Sequence, residues 1–159
     1  MTGVFAGIGG IELGLSMAGH KAIMLCENDP HAVSVLGANF RGIPIHHDVC
    51  TLKWLPDGTD LLAGGFPCQD LSLAGKTNGI GGEKSGLVGE MFRLAKVAKV
   101  RWMMLENVPN MLQLNNGRAM EVITDEFEAL GYKWAYRVVD SRSFGLPQRR
   151  RRVYFLASL

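Results

Sequence analysis

The sequence predicts an α/β protein built on a mostly parallel sheet, and three observations carry that prediction. Short apolar runs alternate with amphipathic stretches of helical length, the order that repeated βαβ units require. Glycine supplies 20 of 159 residues, against an average usage of about 7%, and it clusters at a few turns. Hydrophobic residues make up 47% of the chain, enough to fill one core at this length.

Each element follows from a local signal. Gly3 to Ala6 reads as a first strand and Gly7-Ile8-Gly9-Gly10 as a turn. Ile11, Leu13, Leu15 and Met17 then open a helix that stops near Gly19. Ala22 to Cys26 is a buried second strand, and Pro30 in a first-turn position starts a helix running to about Asn39. Further strands are expected at Ile43 to His46, Leu61 to Gly64 and Trp102 to Leu105, with a helix from Leu87 to Lys99 before the last of these. Met120 to Leu130 forms a helix closed by Gly131, and Trp134 to Val139 and Val153 to Leu156 are two final strands. The stretch from Gln69 to Gly86 is too long for an ordinary connection and is expected to be a functional loop. No internal repeat or domain boundary interrupts residues 1–159.

Composition narrows the classes of function. The net charge of +2 is only mildly basic, but Arg149, Arg150, Arg151 and Arg152 concentrate positive charge in one block. Three cysteines, Cys26, Cys50 and Cys68, cannot all pair, and no C-x-x-C spacing suggests a metal or redox centre. That usage fits a reducing cytoplasm. No apolar run approaches the length of a membrane span, and no secretory leader is evident.

Two constellations carry chemistry. Phe5-Ala6-Gly7-Ile8-Gly9-Gly10 follows a strand and opens a helix, which turns backbone N–H groups toward a ligand at a positive helix end. A dinucleotide-binding turn would need glycine where Glu12 stands, and no phosphate-cradling G-x-x-x-x-G-K-[ST] loop exists. Glu27 ends the second strand twenty residues beyond Gly7, where a carboxylate accepts hydrogen bonds from a ribose diol. Asp48 ends the third and is within reach of an adenine amino group. Either acid alone is an ordinary strand-end cap; with the turn on the same sheet edge, they point to a ligand containing adenosine. The second constellation is Gly64-Gly65-Phe66-Pro67-Cys68-Gln69, at the C-terminal end of the fourth strand, where α/β ligand sites lie. Pro67 fixes the backbone before Cys68, and the glycines are expected to let substrate approach closely. A nucleophilic cysteine needs an environment that favours its thiolate. Cys26 and Cys50 read instead as small buried hydrophobes.

Phe5 to Gly10, Gly65-Phe66-Pro67-Cys68-Gln69, Glu106-Asn107-Val108 and Gln148-Arg149-Arg150-Arg151-Arg152 stand in the order seen in cytosine-C5 DNA methyltransferases. The chain resembles that family over nearly its whole length. The resemblance implies a Rossmann-like class I methyltransferase fold, with helices on both faces of the sheet and an antiparallel last strand, and S-adenosylmethionine as the methyl donor. It gives Phe5, Ala6, Gly7, Ile8, Gly9, Gly10, Glu27, Asn28, Asp48, Val49 and Pro67 to the cofactor. Cys68 is implied as the nucleophile that adds to C6 of a flipped-out cytosine. Glu106 then holds the N3 and amino edge, Asn107 positions that segment, Arg152 meets the base carbonyl and Arg150 braces the site or a phosphate. Gln69, Ser72, Lys76, Lys84, Asn107, Gln148 and Arg149 are the implied DNA contacts, and no metal is expected.

Two departures from the family shape the expectations. Gly3 stands where the family often has an acidic residue or serine. Beyond Leu159 the family continues into a target-recognition region and a closing segment. A catalytic and cofactor-binding domain, completed by a second polypeptide or by further residues of the same protein, is therefore expected. Double-stranded DNA is the expected substrate, and a cognate restriction endonuclease is the expected system partner. Two other readings stay open: a non-catalytic module that binds S-adenosylmethionine or DNA, and a tRNA cytosine methyltransferase.

Overall fold

A computed structural model of the chain describes residues 1–67, 86–113 and 116–159. The chain runs β1 (Thr2–Val4), α1 (Gly10–Met17), β2 (Met24–Cys26), α2 (Pro30–Asn39), β3 (Ile45–His46) and β4 (Leu61–Gly65). It continues through α3 (Leu87–Ala98), β5 (Trp102–Asn107), α4 (Arg118–Ala129), β6 (Lys133–Asp140) and β7 (Arg151–Ser158). Short 3-10 turns occupy Pro109–Gln113 and Ser141–Phe144.

The strands form one sheet in the order β3-β2-β1-β4-β5-β7-β6. Neighbours from β3 to β5 are parallel, whereas β7 runs antiparallel to both β5 and β6. Reversal of order at β1 and β4 opens a crevice beyond their C-terminal ends, the usual ligand position of such sheets. On one face, α3 and α4 bring Met91, Phe92, Leu94, Ile123 and Phe127 onto Val4, Leu62, Met103, Leu105 and Phe155. Phe92 meets Phe127 edge-on at 5.1 Å between ring centres. Burying side chains of this size contributes about 1.5–3 kcal/mol each. On the other face, Leu36 of α2 covers Leu25, and Ile11 and Leu15 of α1 pack near Leu61 and Ala63.

The mostly parallel sheet, its antiparallel last strand and the helices on both faces are those expected. Several details differ from the expected elements, each for a physical reason. β1 ends at Val4 because Phe5 turns out of the strand at φ +53°. β6 and β7 extend past their apolar cores, since antiparallel pairing carries the ladder outward to Asp140 opposite Arg151. β5 runs on to Asn107, so Glu106 and Asn107 belong to the strand and point to opposite faces. In α1, Leu13 and Met17 point to solvent, Met17 being 84% exposed. Residues two apart lie on nearly opposite sides of a helix, so the alternating apolar residues there cannot share one buried face. The inward position falls to Glu12, which is completely buried.

Candidate active site

The β1–α1 turn is fixed by its backbone. Phe5, Gly7 and Gly9 all have positive φ, at +53°, +55° and +90°, a region costly for a residue with a Cβ, so Phe5 is the strained member of the turn. Gly9 must be glycine for packing, because a Cβ there would stand 2.3 Å from the Phe40 ring. A Cβ on Gly7 or Gly10 would meet nothing within 4 Å, so the turn presents an open side there. Ala6 is buried and its N–H joins β1 to the Cys26 carbonyl at 3.1 Å. Ile8 is exposed.

Glu27 locks this turn to the end of β2. Its Oε2 accepts the Gly7 N–H at 2.7 Å, and its Oε1 accepts the N–H groups of Asn28 and Asp29, each at 2.9 Å. A carboxylate has about four acceptor positions, so three bonds orient it and leave one outward. The Gly7 N–H therefore points at Glu27 and not at a ligand, which corrects one detail of the expected turn. The Gly9 N–H likewise bonds the Ala6 carbonyl, at 2.8 Å. Asn28 and Asp48 are exposed at neighbouring strand ends, and Asp48 Oδ1 accepts the Cys50 N–H at 2.9 Å. The side chain of Val49 is buried in the core, away from solvent. Arg93 of α3, which sequence reasoning passed over, supports this loop: its Nη2 donates to the carbonyls of Leu52 at 2.6 Å and Val49 at 3.2 Å. Glu90 pairs with it at 2.6 Å. An arginine on an amphipathic helix looks like any surface charge, so its sequence gave no sign of this role.

The second cluster lies at the C-terminal ends of β4 and β5. Glu106 sits opposite Gly65 in the register and extends over it. Arg152 Nε donates to Glu106 Oε1 at 2.8 Å, with both side chains about one-fifth exposed. Burial raises the Glu106 acid above the usual carboxylate range, and the charges of Arg152 and Arg150 oppose that rise. Alternation along β7 turns Arg152 inward, whereas Arg151 is exposed. Arg150, Arg149 and Gln148 are exposed in the connection before β7. The Arg150 carbonyl accepts the Ser141 N–H at 3.0 Å, which holds that connection closed.

Asn107 is buried, unlike Gln148 and Arg149 among the expected DNA contacts. It is 4% exposed, its Nδ2 donates to the Phe66 carbonyl at 3.0 Å, and its Oδ1 accepts the Val108 N–H at 2.8 Å. It clamps the backbone two residues before Cys68, in keeping with the positioning expected of it, and its side chain is turned away from the surface that a direct DNA contact would need. Pro67 is exposed at the end of that segment. Cys68, Gln69, Ser72, Lys76 and Lys84 lie outside the described residues. Burial pushes the Cys26 thiol up to about 12, with Asp48 and Glu27 adding to the rise. Burial also raises the Cys50 thiol, again with Asp48 contributing. Neither thiol is prepared to be a thiolate at neutral pH. The expectation that both are buried holds for Cys26 only; Cys50 is exposed. Among the described residues no helix is long and apolar enough to cross a membrane.

A 3-2-1-4-5-7-6 sheet with a glycine turn and strand-end acids on its C-terminal edge is the class I methyltransferase fold. More narrowly, the chain belongs to the C-5 cytosine-specific DNA methylases, whose family profile it matches over residues 1–159. It is 52% identical to the Type II methyltransferase M2.BsuMI of Bacillus subtilis strain 168, covering 100% of this chain and 42% of that protein. Type II methyltransferase M.HaeII of Haemophilus aegyptius is 37% identical, with 98% of this chain and 49% of that protein covered. The chain thus spans half or less of these relatives. A DNA modification methyltransferase encoded within an Escherichia coli prophage superposes with a TM-score of 0.81 at 24% identity, over 99% of this chain and 45% of that one. The Dnmt2 methyltransferase of S. pombe gives 0.75 at 22% identity, over 99% and 50%. These two likenesses speak for the fold.

Proposed function

We propose that the chain carries the cofactor-binding and base-activating part of a DNA cytosine-C5 methyltransferase that uses S-adenosylmethionine. The observation that supports this best is the Glu106–Arg152 pair, a half-buried acid kept at a strand end by an arginine. Phe5, the open side of the Gly7–Gly10 turn, Glu27, Asn28 and Asp48 suit a nucleoside whose ribose and base need acceptors and whose approach needs a surface free of side chains. S-adenosylmethionine, when bound there, supplies an electrophilic methyl group.

The residues of this chain handle the base. Cytosine C5 is a poor nucleophile until sulfur adds to the ring. The Cys68 thiolate forms a bond to C6, and the electrons of the C5–C6 double bond move toward C5 as an enamine. Glu106, whose acid is raised by burial, supplies a hydrogen bond or proton at N3 as negative charge builds there. Arg152 keeps Glu106 oriented and faces the base carbonyl, and Arg150 adds charge near a phosphate. After C5 is methylated, a base removes its proton, the double bond reforms, and the sulfur–carbon bond breaks to release the thiolate. Asn107 holds the segment that leads to Cys68. Gln69, Ser72, Lys76, Lys84, Gln148 and Arg149 supply DNA contacts, mostly to phosphates. Target sequence is read by a recognition region in the remainder of the enzyme, supplied in this chain's continuation or by a second polypeptide. A restriction endonuclease is the matching system partner, and the cytoplasm the compartment.

Replacing Cys68 by serine tests this directly, because a hydroxyl is far less ionised than a thiol at neutral pH. In enzyme completed by its recognition polypeptide, Cys68→Ser should abolish transfer of tritiated methyl groups while calorimetry shows unchanged cofactor affinity. Retained transfer would remove Cys68 as the nucleophile.

A further inference from the structure

β4 ends in two consecutive glycines, and the structure separates their reasons. A Cβ on Gly64 would stand 2.3 Å from the Val4 carbonyl oxygen, in the backbone of the neighbouring strand. A Cβ on Gly65 would stand 2.6 Å from Glu106 Oε2, while its next nearest atoms, also of Glu106, are at 3.7 and 3.9 Å. Neither glycine has a positive φ, so backbone conformation demands glycine at neither place. Gly64 is required by an immovable neighbour. Gly65 is required only by the carboxyl end of one movable side chain. These glycines thus make room for neighbours in the sheet, where the sequence suggested room for substrate.

We propose that Gly65 is a positioning residue for Glu106: its missing side chain is the space in which the carboxyl group rests while Arg152 holds the other oxygen. Glu106 spans from Arg152 on β7 to the ground above β4, with Oε1 held at 2.8 Å and Oε2 over Gly65. A methyl group at position 65 leaves the strand pairing intact but expels Oε2 from that space. The carboxyl must then rotate, and its bond to Arg152 cannot be kept at both the same length and the same direction. Glycine at position 65 thus serves the acid's orientation more than the fold. The catalytic importance of that orientation rests on the reading of Glu106 given above, whereas the coupling between the two residues does not.

The coupling is measurable in the 159-residue chain without any assay of methyl transfer. Carbon-13 NMR titration of glutamate carboxyls, with Glu106→Gln to assign the signal, follows Glu106, and the Arg152 Nε–H signal reports its ion pair. Gly65→Ala should fold, with a melting temperature within about 3 °C of the parent. It should move the Glu106 midpoint by at least about half a pH unit and displace the Arg152 signal. Gly64→Ala, set against backbone, should lose much more thermal stability. If Gly65→Ala does not fold, the double variant Gly65→Ala/Glu106→Ala should, because the obstructing carboxyl is gone. An unchanged Glu106 titration and Arg152 signal in a folded Gly65→Ala protein overturns the proposal, as does failure of the double variant to fold. Failure of the Cys68→Ser experiment would leave these measurements unaffected, so the two ideas stand or fall separately.

Discussion

Two glycine–glutamate pairs lie on the same face of the sheet, and they differ in almost everything except shape. A Cβ on Gly3 would stand 2.1 Å from Glu12 Oε1, much as one on Gly65 would stand 2.6 Å from Glu106 Oε2. Glu12 is completely buried, and among the described residues neither of its oxygens has a hydrogen-bond partner from another residue. Burial pushes its acid up to about 7, its own backbone N–H pulls against that, and the charge of Glu27 adds a little to the rise. Glu106 is also raised by burial, but Arg152 and Arg150 restrain it and one edge stays open. Depth in the sheet makes the difference. Beside the middle of β1 a carboxyl over a glycine is sealed by α1 and holds its proton as a packing group. At the strand end the same arrangement meets an arginine and solvent, which leaves the acid accessible, as the proposed reaction requires.

The strongest way to break this comparison is to remove both acids in turn from completed enzyme. Glu106→Gln should lower the methyl-transfer rate by about 10²–10⁴-fold, the usual contribution of a positioned acid, while Glu12→Gln should change it by less than about threefold. Equal losses measured by tritium incorporation would mean that the buried acid also serves the reaction.

Next in size is a stability effect confined to Glu12. Its acid is raised in the folded state, so below about pH 4.5 both states are protonated and no stability is lost. As pH rises toward 7 only the unfolded chain ionises, and stability falls by about 3 kcal/mol before levelling off. Urea denaturation across this range should show that fall in the parent, and a clearly shallower one in Glu12→Gln. Identical profiles would mean that Glu12 is already ionised in the folded protein.

The smallest effect separates the glycines themselves. Gly3→Ala brings a methyl group within 2.9 Å of both Cγ and Cδ of Glu12 as well as against Oε1, in a space with no exit. Overpacking of that kind costs about 1–3 kcal/mol. Gly65→Ala should cost less, because Glu106 has solvent to turn into. Denaturant midpoints that put the two variants in the opposite order would dissolve the distinction.

Much of this protein was legible before any coordinates. Strand–helix alternation predicted the sheet, Pro30 predicted the start of α2, and Gly7 to Gly10 predicted the turn between β1 and α1, because each depends on residues close together in the chain. The family motifs paired Glu106 with Arg152 as members of one site although they lie far apart in sequence, and the two do meet at 2.8 Å. What only tertiary structure decided is which neighbour each side chain meets. Nothing local says that Gly7 gives its N–H to Glu27, that Asn107 turns inward to the Phe66 carbonyl, or that Arg93 holds the loop after β3. Nor does it say that α1 turns an acid inward and two apolar side chains outward. The physical reason is that sheet register and helix rotation are set by the packing of distant segments, and a glycine's purpose depends on what occupies the space its side chain lacks.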